Sequence, residues 1–242
     1  MIRARVRALA IILALLIGAA IAVAVLSREP RGLQPRPPGE RPTLLLLTSL
    51  PLVFGEQFSL QGSGTLALAA LETRYRVVPI SVSGPADLAR GRLLLMAHPG
   101  AQPAEDLVAL DDWVRRGGRL LLLADPMLEW PSSRPLGDPL RPPLMFGDTG
   151  LLAHWGLRLD APDERGPAFR KIGGYEIEAV SPGRLVGGCE IASDAAVARC
   201  RIGKGRAIVV ADADFLDTAR LGTPAQHNLD GLLGELAALE RP

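Results

Sequence analysis

Arg92 to Pro126, RLLLMAHPGAQPAEDLVALDDWVRRGGRLLLLADP, reads as strand, loop, helix, strand. The apolar runs Leu93 to Ala97 and Leu120 to Ala124 are short and unbroken, as expected of strands covered on both faces. Between them lies a helical pattern marked at both ends. Pro103 suits a first-turn position, Glu105 and Asp106 complement the positive end of the helix dipole, and Arg115 and Arg116 precede the stop at Gly117-Gly118. Leu107, Leu110 and Val114 share one face, which is expected to pack on the sheet. A strand–helix–strand unit of this kind makes a right-handed parallel crossover, so the sequence predicts an α/β fold with an open, mostly parallel sheet. Neither strand end leads into a phosphate-cradling glycine loop or a nucleophile elbow.

Upstream, Thr43 to Thr48 reads as a central strand. A glycine-containing loop, a helix from about Thr65 to Thr73, a strand Arg76 to Ile80 and a short helix near Pro85 to Ala89 come next, and this alternation implies a doubly wound sheet. Downstream, Asp125 to Asp148 carries Pro126, Pro131, Pro135, Pro139, Pro142 and Pro143. That is a long irregular excursion at the carboxyl end of a strand, the edge where parallel sheets usually bind ligands; a solvent-exposed insertion covering the sheet edge is the competing reading. Helix resumes at Thr149 to Trp155, and Phe169 to Cys200 has the turn chemistry of β structure. Gly203-Lys204-Gly205 lacks a following Ser or Thr and leads into a strand, so it reads as a hairpin rather than a phosphate loop. Ala225 to Leu239 closes the chain as an amphipathic helix.

The 242-residue chain opens with Arg3, Arg5 and Arg7, then an uncharged apolar run from Ala8 to Leu26, about the length that crosses a bilayer as a helix. The positive-inside tendency then predicts a single-pass inner-membrane protein with its carboxyl-terminal body in the periplasm. A cleaved signal peptide competes with this, because Ala20-Ile21-Ala22 and Ala22-Val23-Ala24 have cleavage-site spacing. The expected organisation is an anchor over 1–27, a proline-rich linker over 28–42 and one extracytoplasmic domain over 43–242. Beyond the three leading arginines, 24 basic residues face 26 acidic ones with no basic stripe, so nucleic acid is not an expected partner. Cys189 and Cys200 flank Ser193-Asp194-Ala195. With Asp194-Ala195 as a two-residue loop they fall opposite one another and suit a disulfide, whereas a one-residue slip leaves two buried thiols. Metal ligation and nucleophilic catalysis are disfavoured for this pair.

Six residues are candidates for a ligand site: His98, Asp125, Asp212, Asp214 and Asn228, several of them at or just beyond carboxyl strand ends, and Trp130 in the excursion. Carboxylates gathered there could hold a divalent cation or act as acid and base. The structural alternative is local turn bonding for Asp125, Asp212 and Asp214, and a loop-tethering hydrogen bond for Asn228. Trp113, Trp130 and Trp155 offer a sugar-stacking platform only if they share a surface. No catalytic residue, metal site or cofactor is assigned.

The segments LLLMAHPGAQPAEDLVALDDWVRRGGRLLLLADP, GLLAHWGLRLD and RIGKGRAIVVADADFLDTA, with QHNLDGLL beyond, resemble the extracytoplasmic domain of the gliding-motility and ABC-transporter auxiliary family. They also resemble related membrane-associated domains with a class I glutamine-amidotransferase-like fold. The resemblance implies a flavodoxin-like sandwich, a membrane-linked place beside an export or transport complex, and no established catalysis; the expected partners are the inner membrane and an ABC-transporter permease or other membrane complex, and the residues themselves add a carboxyl-terminal β-hairpin region. It departs from true amidotransferases at His98-Pro99-Gly100, where no cysteine follows the strand, so no Cys-His-Glu triad carries over. The reading favoured is a noncatalytic, membrane-anchored periplasmic binding or assembly module accessory to an ABC-type system. The alternative is a carboxylate- or metal-dependent hydrolase of envelope glycans or small molecules.

Overall fold

Leucine-rich strands build the centre of the molecule. In the computed structural model, residues 32–53, 65–221 and 225–241 are described. Contacts divide the chain into two units, Met1–Gly32 and Leu33–Pro242. The second unit contains β1 (Thr43–Thr48), α1 (Leu66–Glu72), β2 (Arg76–Pro79), α2 (Pro85–Leu88), β3 (Leu93–Ala97), α3 (Ala104–Arg115), β4 (Arg119–Leu123), α4 (Leu151–His154) and β5 (Leu157–Asp160). It continues with β6 (Pro167–Ile172), β7 (Tyr175–Val180), β8 (Arg184–Gly187), β9 (Glu190–Ile191), β10 (Val197–Ile202), β11 (Gly205–Val210), α5 (Thr218–Leu221) and α6 (Ala225–Glu240).

Among the described residues the main sheet has the order β2-β1-β3-β4-β11-β10-β9. The first five strands pair in parallel, and β10 and β9 add an antiparallel edge. Period-2 alternation sends successive side chains to opposite faces, and the two apolar layers follow it strictly. Leu44, Leu46, Leu93, Leu95, Leu121, Leu123, Ile208 and Val210 enter one core. Leu45, Leu47, Leu94, Met96, Leu120, Leu122, Ala207 and Val209 enter the other. The first is covered by α1, by α6 through Leu229, Leu232, Leu233, Leu236 and Leu239, and by the β6–β7 hairpin through Ile172, Tyr175 and Ile177. The second is covered by Leu110 and Val114 of α3, by Leu151, Leu152 and Trp155 at α4, and by Leu157 and Leu185 of the β5–β8 pair. Each fully buried leucine contributes about 2 kcal/mol, which is why the uninterrupted runs read from the sequence become the central strands.

Two local devices fix the far side of the sheet. Gly203-Lys204 is a two-residue turn with Gly203 at a φ of 60°, and it brings β10 back as β11. The turn tucks under the end of α3, where the Lys204 N–H donates to the Arg115 carbonyl at 2.9 Å. A Cβ on Gly205 would overlap the carbonyl oxygens of Val114 and Gly118, so only glycine fits there. Beside it, Cys189 and Cys200 form a disulfide with a Cα separation of 4.9 Å, continuing the β9–β10 register.

One expectation is corrected. No helix among the described residues is long and apolar enough to cross a membrane. The spanning helix assigned to Ala8 through Leu26 lies outside the described residues, and neither that helix nor the single-pass inner-membrane placement with a periplasmic body is carried forward. What stands is an α/β domain with a mostly parallel central sheet. Residues 33–42 run along this domain: Arg36 donates its backbone N–H to the Thr73 carbonyl at 2.9 Å and pairs through both guanidinium nitrogens with Glu240 of α6.

Candidate functional site

The carboxyl ends of β3, β4 and β11 bring His98, Asp125, Asp212 and Asp214 to one edge of the sheet. Asp125 and Asp212 follow buried strands directly, and both side chains are buried, as is Asp214 in the 3₁₀ turn Asp214–Leu216. A carboxylate taken out of water must be compensated by donors, and here the donors are main-chain amides. Asp125 Oδ1 accepts from Met127 N at 2.8 Å, and its Oδ2 accepts from Ala213 N at 2.9 Å and Asp214 N at 3.4 Å. Asp212 accepts from Phe215 N at 2.9 Å and from Val180 N at 3.1 Å. Asp214 Oδ2 accepts from Glu129 N at 2.7 Å, while its Oδ1 is buried without a hydrogen-bond partner among the described residues. The three carboxylates therefore lace the start of the excursion, the end of β7 and the turn after β11 into one unit.

Burial and mutual repulsion weaken their acidity. Burial pushes Asp125 up to about 6 against the pull of the three amides, and the Glu129 charge adds to the rise. Asp214 is pushed up to about 7, again chiefly by burial, with the Asp125 charge a further cause. Asp212, the most enclosed, lies well above the usual carboxylate range because of burial and the neighbouring Asp125.

His98 stands apart from this cluster in its bonding. It closes β3 with a φ of 45°, a left-handed conformation uncommon for a residue with a side chain. Its ring reaches the excursion, where Nε2 donates to the Pro143 carbonyl at 2.8 Å. That bond leaves Nδ1 as the unprotonated nitrogen of the neutral ring, buried and without a partner among the described residues. Burial holds the imidazole below its ordinary pKa, and the Pro143 carbonyl only partly offsets this. Asn228 of α6 is fully employed elsewhere: Nδ2 donates to the carbonyls of Glu178 and Phe215 at 2.9 Å each, and Oδ1 accepts from Glu178 N at 3.0 Å. Trp130 is partly buried against the first core, whereas Trp113 and Trp155 belong to the second, on the other face of the sheet. The three indoles therefore form no common platform.

Two further residues join the site that the sequence did not single out. Ser181, at a φ of 49° after β7, donates to Glu129 Oε1 at 2.6 Å and accepts from Gly166 N at 2.9 Å. Arg220 donates to the Glu129 carbonyl at 3.0 Å. The turn residues Ser181-Pro182-Gly183 were the one signal available, and they mark a turn without naming its distant partner. Beside the cluster, Pro126, Met127, Leu128, Glu129, Leu144, Met145, Arg165 and Gly166 line an open groove of about 600 Å³. None of the six candidate residues lines it. Among the described residues, no group of three His, Cys, Asp or Glu side chains is arranged to hold a metal ion.

Fold and site together define a doubly wound α/β domain whose carboxyl sheet edge is sealed by carboxylates bound to main-chain amides. The chain belongs to the ABC-transporter auxiliary family, described as an ABC-type uncharacterized transport system, which matches residues 41–162. That membership supports an accessory role in an ABC system. No curated protein matches the chain in sequence. Among solved structures it is similar to the exo-β-1,4-mannosidase Op5Man5 from Opitutaceae bacterium strain TAV5, at 15% identity and a TM-score of 0.50 over 82% of this chain and 36% of that one. It is also similar to the cytoplasmic protein STM1381 from Salmonella typhimurium LT2, at 12% identity and a TM-score of 0.53 over 81% of this chain and 99% of that one. The cytoplasmic protein STM3548 from Salmonella typhimurium matches at 10% identity and a TM-score of 0.50, over 82% and 98% of the two chains. At such identities the likeness is one of fold, and this chain spans about a third of the mannosidase.

Proposed function

We propose that the protein is a noncatalytic binding module of an ABC-type transport system, docking on a permease or other transporter subunit through the excursion at the carboxyl edge of its sheet. The observation that carries this reading is the use of the carboxylates. Asp125 and Asp214 accept from main-chain amides at the start of the excursion, and Asp212 ties the end of β7 to the turn after β11, so all three are bound into the fold instead of facing a substrate. A general acid or base needs reach to a reacting proton, and none of these side chains lines the adjacent groove. Hydrolysis by carboxylates or a metal therefore loses its geometric basis.

The excursion they hold presents apolar side chains to solvent. Leu136 is 75% exposed, Leu140 68%, Leu144 53% and Met145 63%. Exposed apolar side chains on one loop, with Leu144 and Met145 lining the adjacent groove, suit contact with another protein. Membership of the transport family supplies the kind of partner.

Crosslinking followed by affinity recovery of the full-length tagged chain tests this. The expected result is stoichiometric enrichment of a permease or ATP-binding subunit, reduced at least about tenfold by the double substitution Leu140→Asp and Met145→Asp while the melting temperature is kept; a hot-spot pair is worth this much. Recovery of no transporter subunit above an unrelated bait refutes the proposal, as does recovery indifferent to the double substitution.

A further inference from the structure

The opposite edge of the sheet has the opposite charge. Arg76, Arg119 and Arg206 stand at the starts of β2, β4 and β11, and Arg92 immediately precedes β3. Helices end at this edge, and arginines there can complement the negative ends of helix dipoles. Arg119 and Arg206 do so, donating to the carbonyls of Glu240 and Arg241 at the end of α6 at 2.6 and 3.2 Å. Arg76 donates to Thr43 Oγ1 at 2.7 Å. The guanidinium of Arg92 has no such employment. It is exposed, has no partner among the described residues, and lines a cavity of about 560 Å³ together with Arg90, Arg119, Thr43, Gly117 and Glu240.

The charges around this cavity do not cancel. Arg90 is paired with Asp87 at 3.0 Å, and Glu240 is paired with Arg36 at 2.6 Å. Arg92 and Arg119 remain, two positive charges without a counter-ion among the described residues, since the Arg119 bond is to a neutral carbonyl. The volume is that of a small-molecule site. We propose that this cavity binds a dianionic oxyanion, a phosphate group or a dicarboxylate, gripped by Arg92 and Arg119. The planar guanidinium fork matches both oxyanions bidentately, and the charge count selects a dianion over a monoanion. The inference is independent of the transporter reading, which concerns the other end of the sheet.

An amide chemical-shift titration of the full-length chain with inorganic phosphate, succinate and acetate, at constant ionic strength, tests it. Phosphate or succinate is expected to give saturable shifts at Gly91, Arg92 and Gly117, and acetate none. The tighter of the two dianions tells a phosphate group from a dicarboxylate. Arg92→Gln removes an exposed side chain and is expected to weaken binding at least about tenfold, the loss of one charge-assisted hydrogen bond. Arg116→Gln makes the same change of net charge outside the cavity, on an exposed side chain paired with Asp112, and is expected to leave binding unchanged. Shifts that do not saturate overturn the proposal, as do acetate binding as tight as the dianions or equal effects of the two substitutions.

Discussion

Raising the pH should destabilise this fold through Asp214 and its neighbours. In the unfolded chain Asp214 titrates near its ordinary 3.8, and in the fold near about 7, so the folded state favours the protonated acid. The stability it contributes is complete below 3.8 and is lost as the pH climbs through about 7. Between about pH 5.5 and about pH 8 that loss is about 2 kcal/mol for Asp214 and about 1 kcal/mol for Asp125, and Asp212 acts in the same direction. His98 opposes them. Its folded pKa is depressed, so its stabilising effect is complete above its ordinary 6.5 and is lost as the pH falls from there through the lower folded value. This costs at most about 1.5 kcal/mol at about pH 5.5. The net expectation is a wild-type protein more stable at about pH 5.5 than at about pH 8 by no less than about 1.5 kcal/mol. Urea unfolding followed by tryptophan fluorescence measures it. Asp214→Asn isolates the cause, because the amide oxygen can still accept from Glu129 N and the nitrogen replaces the oxygen that had no partner. That variant should lose about 2 kcal/mol of the pH dependence, leaving a flat profile or one inverted by His98. A wild-type stability that rises from acid to alkaline conditions, or a variant with the parent's slope, refutes the reasoning.

Other outcomes rest on single contacts. Gly205→Ala should cost at least about 2 kcal/mol by urea titration, because the new methyl overlaps the carbonyls of Val114 and Gly118. Reducing the Cys189–Cys200 bridge should lower stability by about 3 kcal/mol, the closure entropy of its short loop, seen as a lower urea midpoint in reductant at unchanged m-value. Asn228→Ala should cost about 3 kcal/mol, since it strands both main-chain groups of Glu178 and the Phe215 carbonyl; loss of hydrogen-exchange protection at Glu178 is the local readout.

The α/β class was legible because its signals are local. Leu93 to Ala97 and Leu120 to Ala124 are buried on both faces, so their composition alone distinguishes them from half-exposed strands, and the ends of α3 lie within two residues of the expected ones. The 203–205 hairpin was legible for the same reason. The candidate site was legible only as a set of positions. Asp125 and Asp212 stand at strand ends in the sequence, but their partners are amides 88 and 32 residues away, at Ala213 and Val180. Glu129 and Ser181 bond across 52 residues with no composition signal to connect them. Nor does any periodicity reveal that Arg119 is occupied by α6 while Arg92 is not, because that depends on where the last helix ends.

An open strand edge is a template for another chain, and it invites intermolecular pairing and fibrous growth. Beyond β10 the ladder among the described residues offers only the two residues of β9, and the bridge from Cys189 clamps the chain just before that strand. The disulfide thus acts as an end-stop against polymerisation as well as a staple. Agitated in reductant, the protein should therefore form thioflavin-positive aggregates sooner than its oxidised form at the same concentration.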